Sequence, residues 1–173
     1  MKSLNTYINE KLKLSDVKQY NYYPKTKDEL QDLINQLIKE RGNDGDFNDI
    51  DTSEITDMSI LFYEMEEFNG DISKWNVSKV TNMYRMFSDC KSFNQNISKW
   101  DVSNVEYMEK MFYKCTSFNQ PLNNWNVSKV RYMGRMFMGC VKFNQDISSW
   151  DVSKIKIKNM QEMFENCLIK QNY

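Results

Sequence analysis

The chain contains no histidine. Its absence removes the commonest general base and the commonest metal ligand together. Glycine occurs five times and proline twice, and no Gly-rich phosphate loop stands out. No charge of either sign dominates: 23 Lys and Arg face 24 Asp and Glu, a formal balance of −1. Such a balance gives no electrostatic reason to expect nucleic acid or an anionic membrane as partner. No apolar run approaches the roughly 18 residues of a membrane span, and the stretch from Met1 to Leu14 lacks the apolar centre of a signal peptide. The product is therefore expected to stay in the cytoplasm or to travel inside a virion. With no nucleophile motif and no paired acids either, the expectation is a protein that is not an enzyme, with no cofactor and no metal.

What is present is a soluble globular composition, 40% apolar and 14% aromatic, organised by repetition. Phe-Asn recurs at Phe68, Phe93, Phe118 and Phe143, a step of 25 residues. All four tryptophans, Trp75, Trp100, Trp125 and Trp150, keep that step, as do Val77, Val102, Val127 and Val152. Met83, Met108 and Met133 follow, then Met-Phe pairs at 86–87, 111–112 and 136–137, then Cys90, Cys115 and Cys140. The last copy slips by two residues, because Lys-Ile-Lys-Ile-Lys at 154–158 holds an extra dipeptide and delays Met160, Met163-Phe164 and Cys167. A degenerate copy carrying Ile50, Ile55, Met58, Leu61-Phe62 and Met65 precedes the four full ones, as a terminal repeat should.

Within a copy, Trp-x-Val is strand-like, and the steps from Val80 to Met83, Met86-Phe87 and Cys90 mark one face of a helical segment. The expected fold is an α/β repeat solenoid, leucine-rich-repeat-like, with a short strand and a short helical segment per 25-residue coil. Thr26-Lys-Asp-Glu29 is a capping box, Leu30, Leu33, Ile34, Leu37 and Ile38 share a helical face, and Gly42 ends it. This capping helix is expected to cover the first coil. The organisation reads as an N-terminal arm or docking helix at 1–21, the capping region at 22–46, the repeats at 47–169 and a tail at 170–173.

Phe-Asn-Gln-Asp-Ile-Ser-Ser-Trp-Asp-Val-Ser at 143–153 and Val-Thr-Asn-Met-Tyr-Arg-Met-Phe-Ser-Asp-Cys at 80–90 closely resemble the BspA-like leucine-rich-repeat surface proteins. The lead-in at 22–30 and the segment 48–58 are similar to that family too. The resemblance implies adhesion or protein recognition, generally on a cell surface, and an export signal that this sequence departs from. The first 20 residues are similar to the start of some gut-bacteriophage proteins, which makes a structural role in a particle the alternative.

Several residue sets invite sharper readings. The four cysteines lack the close pairs of a zinc site and read as a buried thiol ladder. Most of the 12 methionines fall at inward positions and read as core. Asn69, Asn94, Asn119 and Asn144 read as a buried ladder bonding one turn to the next, and Ser78, Ser103, Ser128 and Ser153 as the same. Carboxylates do not recur after Phe-Asn, where Asp71, Asn96, Pro121-Leu122 and Asp146 stand, so no calcium site is expected.

Function then falls to positions that vary between copies. Asn82, Tyr107 and Tyr132 form one row, with Tyr84, Arg85, Lys110 and Arg135 in the rows beside it. Tyr and Arg are favoured in recognition hot spots, so these seven residues are the candidate contact surface. The expected partner is another protein, or a glycan. A homo-oligomer through the poorly capped C-terminal end is the further expectation.

Overall fold

The computed structural model describes residues 20–169. Its one α-helix among these, α1 (Lys27–Arg41), forms where the capping signals lie. The Thr26 hydroxyl accepts from the Glu29 amide at 3.2 Å, and the Glu29 carboxylate accepts from the Lys25 amide at 2.6 Å. At the far end Gly42 (φ 77°) turns the chain out, its amide donating to Ile38. Leu30, Ile34 and Leu37 are fully buried against the first repeat. Arg41 clamps the helix end to that repeat through a two-pronged pair with Asp49, at 2.7 and 3.0 Å.

Five units follow, beginning at Phe47, Ile72, Ile97, Leu122 and Ile147, and they stack. Equivalent side chains meet along the stack. Phe62, Phe87, Phe112, Phe137 and Phe164 lie 5.3–5.9 Å apart, nearly parallel. A second phenylalanine column, 68–93–118–143, interleaves with it at about 4.1 Å. Each tryptophan ring N–H donates to a carbonyl of the preceding unit, as Trp75 does to Phe47 and Trp100 to Ile72. In the second unit Trp75, Val77, Val80, Met83, Met86, Phe87, Cys90 and Phe93 are at most 4% exposed. No unit could bury such a set alone; its neighbours supply the walls.

The α/β repeat solenoid with leucine-rich-repeat-like coils is not what forms. Among the described residues there is one α-helix, one 3-10 turn (Ile157–Asn159) and five isolated parallel bridges, with no strand and no sheet. The amides explain why. Met83, Arg85, Phe87 and Asp89 donate forward to Tyr107, Glu109, Met111 and Tyr113 of the next unit, while Met86, Ser88 and Cys90 donate three residues back within their own. A helix needs every amide for itself, at four residues' separation. Here alternate amides are committed to the neighbour, and the segment becomes a run of overlapping turns. Two left-handed residues per unit accompany this path, among them Ile60 and Glu64, Arg85 and Asp89, Lys110 and Lys114. Gly139 (φ 77°) meets that requirement at no steric cost, and Asp89 and Asn166 are of the types that tolerate it best after glycine. The Trp-x-Val segment is no strand either: the Trp75 amide closes a turn on Ile72 and that of Val80 a turn on Val77.

The side-chain ladders differ in detail from the sequence reading. Asn94, Asn119 and Asn144 each take the side-chain oxygen of the asparagine one unit earlier on their backbone amide, at 2.9–3.0 Å, but they lie at the surface and are not buried. The serines act locally: the amides of Ser78, Ser103, Ser128 and Ser153 cap the side chain two residues before, Asn76, Asp101, Asn126 and Asp151. These are Asx turns, and Asp71, Asn96 and Asp146 make the same turn, which Pro121 cannot.

Candidate binding face

The forward amides place the variable side chains in columns. Asp57, Asn82, Tyr107 and Tyr132 are joined by successive parallel bridges. The Tyr107 and Tyr132 rings stack at 5.2 Å with 4° between planes, and both are exposed, at 43% and 39%. Asn82 spends its side chain locally, accepting from the Tyr84 amide at 3.0 Å. Three positions along, Arg85, Lys110 and Arg135 form a second column, followed by Glu162.

The seven residues fall along neighbouring columns and line more than one groove. Arg85, Lys110 and Arg135 line a groove of about 320 Å³ with Tyr63, Tyr113, Asp89 and Glu162. Tyr132 lines a different groove, of about 550 Å³, with Glu106, Lys129, Arg131, Lys154, Lys156 and Lys158. Tyr63, Tyr113 and the 154–158 lysines were outside the sequence-derived set. Reading the column three residues beyond Ile60 would have found the tyrosines; the lysines stood in plain view as the two-residue slip.

The first groove carries three cations with Asp89 and Glu162. At three other places neighbouring units set opposite charges together: Lys79 with Glu54 at 2.8 Å, Lys91 with Glu66 at 2.7 Å, Arg131 with Glu106 at 3.3 Å. The Arg85 column instead stacks three cations, closed only at its end by Arg135 on Glu162 at 2.5 Å. That pair raises the Arg135 guanidinium further above its ordinary range and lowers the Glu162 carboxyl. All three cations also sit in left-handed backbone, at φ 53°, 57° and 57°, which costs about 1–2 kcal/mol per residue. Arg85 lies 5.7 Å from the Tyr63 ring and 5.3 Å from that of Tyr84, and its Nε, shut off from solvent, has no acceptor.

Cys90, Cys115 and Cys140 are free, buried thiols, each donating to a carbonyl of the previous unit. Burial pushes all three thiols up, away from reactivity at neutral pH. Among the described residues no three acidic or sulfur ligands gather to hold a metal, and no helix is long and apolar enough to cross a membrane.

The family described as Mycoplasma protein of unknown function, DUF285, matches residues 28–137 and again 115–172. The chain belongs to this family. The two matches share 115–137 and together run from α1 through the fifth unit, so the family pattern can be laid on the stack in more than one register. No match to the chain was found among curated proteins or solved structures.

Proposed function

We propose that the chain is a non-catalytic interaction module that binds another protein, or a surface glycan, through the groove of Arg85, Lys110 and Arg135, in the adhesive role of BspA-like surface proteins. The observation that carries this reading is the cation column itself. Three cations follow one another along this column, where the same stack elsewhere pairs Lys79 with Glu54 and Lys91 with Glu66. The Tyr63 and Tyr84 rings beside Arg85 and the Arg135–Glu162 pair take up part of that charge, and the rest is open to a partner. Tyr63, Tyr84 and Tyr113 beside them add the flat, rigid contact area of a recognition surface. The test is a photocrosslinking residue placed at Lys110 or, on another part of the surface, at Asn124. Adducts from position 110 and none from 124 support the reading; equal labelling from both positions sinks it.

A second reading, a component of an assembly, has its own support. The fifth unit leaves an apolar pocket of about 610 Å³ lined by Ile147, Trp150, Val152, Met163 and Phe164. Two copies joined there would bury that apolar lining. Light scattering over a wide concentration range decides it, a strict monomer counting against self-association. The proposed particle-docking arm at 1–21 and its bacteriophage likeness lie almost wholly outside the described residues.

A further inference from the structure

The two-residue slip in the last unit has no packing role. The extra residues bulge outward as the 3-10 turn, with Ile157 84% exposed, after which the ladder resumes: Met133 donates to Asn159 and Arg135 to Gln161. Removing Ile157 and Lys158 would leave Lys-Ile-Lys-Asn-Met where the preceding unit has Lys-Val-Arg-Tyr-Met, restoring the 25-residue register. What the slip adds is one more cation, Lys158, beside Lys154 and Lys156, which stand where the preceding unit has Lys129 and Arg131. Lys154, Lys156 and Lys158 join Lys129 and Arg131 around one groove of about 550 Å³ that holds a single carboxylate, Glu106. Glu106 is already paired with Arg131, and Lys129 donates to the neutral Asn104 side chain. Five cations thus meet in one concave site on a chain whose overall balance is −1.

We propose that this groove is a docking site for an acidic segment of a partner polypeptide. It is separate from the Arg85 groove, and the two stand or fall independently. Three observations favour a peptide. The site is concave and confined, which suits a short stretch of chain better than a flat lipid surface. Tyr132 is the one aromatic side chain in it, too few for the successive base stacking of single-stranded nucleic acid. Lys154 and Lys156 flank the buried Ile155, so they project two residues apart on the outer side. Two neighbouring ammonium groups on one side can pair with successive carboxylates of an acidic segment.

The test uses the full chain and a fluorescent ten-residue oligoglutamate as probe. Binding that weakens at least tenfold between 50 and 500 mM salt is expected. Lys156→Gln with Lys158→Gln should lose at least fivefold in affinity, and Lys91→Gln, a lysine of another column, should lose none. Deleting Ile157 and Lys158 should weaken binding while leaving the thermal midpoint unchanged or higher, which separates lost contact from lost fold. Lys156→Glu with Lys158→Glu should shift preference from oligoglutamate to oligolysine. Equal binding by wild type and the double Gln variant overturns the proposal. So does tighter binding of a sulfated polysaccharide or of phosphatidylserine vesicles than of oligoglutamate. If oligoglutamate fails while crosslinks still form at Lys110, this site is refuted and the interaction-module reading survives.

Discussion

The two ends of the stack are built from the same kind of unit and treated differently. At the first, α1 lays Leu30, Ile34 and Leu37 over the repeat, all without exposure, and Arg41 ties its end to Asp49. At the other, among the described residues, nothing comparable lies on the fifth unit. Trp150, Ile155 and Met163 are each 7% exposed, against 4%, 0% and 0% for Trp75, Val80 and Met86 in the second unit. Leu168 reaches 61%. The side chains are nearly identical, so the difference measures what a neighbour contributes: burial here belongs to the junction between units.

The sharpest way to break the comparison is to make one substitution at both places. Phe87→Ala, with phenyl rings on both sides, should cost about 3–5 kcal/mol in urea unfolding, and Phe164→Ala at the open end less than half of that. Equal losses would mean that the fifth unit is as well walled as the second. Next, Ile34→Ala should cost about 2–4 kcal/mol and make the covered end resemble the open one. Amide exchange in residues 47–65 should then approach the rate seen in 160–167; unchanged exchange would show that α1 is not what protects the first unit.

Thiol labelling sharpens the contrast with less perturbation. Cys167, half-buried, should react first with a small alkylating reagent, roughly tenfold or more ahead of the buried Cys90, Cys115 and Cys140. The smallest effect belongs to the clamp. Hydrogen bonding from Arg41 is the chief cause holding the Asp49 carboxyl below its ordinary range. A depressed carboxyl stabilises the fold above its unfolded pKa, and that contribution fades as pH falls through the folded value. The clamp should therefore add about 1 kcal/mol at neutral pH and lose it below about pH 4. Arg41→Met should flatten that part of the pH–stability curve, and an unaltered curve would assign the clamp no role.

The periodicity, the identity of the core columns and α1 were legible in the sequence, because each rests on side-chain type and spacing. Phe87 and Phe112 are core whatever the backbone does between them. The destination of each amide was not legible. Val80, Met83, Met86 and Cys90 have the same spacing on a helix and on a run of turns, and the choice is made by Tyr107, Glu109, Met111 and Tyr113, whose carbonyls lie one unit away. The candidate surface was legible as columns and illegible as grooves. Tyr107 and Tyr132 do stack, yet Tyr132 and Arg135, three residues apart, line different hollows. The lysine groove escaped for another reason: a near-zero overall charge says nothing about where the charges sit.

The forward-pointing amides have an electrical consequence. The peptide group whose carbonyl is that of Tyr84 carries the amide of Arg85, which donates to Glu109, whose peptide carries the amide of Lys110, and so on through Gly134 and Arg135 to Gln161. Parallel series pass through Met83, Phe87 and Asp89. Head-to-tail peptide chains thus run across units, as hydrogen-bonded peptides run along a helix; these four series point forward, while those through Ser92 and Ser117 and through Tyr107 and Tyr132 point back and offset part of the sum. The fifth-unit end of the stack is the positive pole and its first-unit end the negative one. Every added unit lengthens the dipole, so the array has a direction as well as a length.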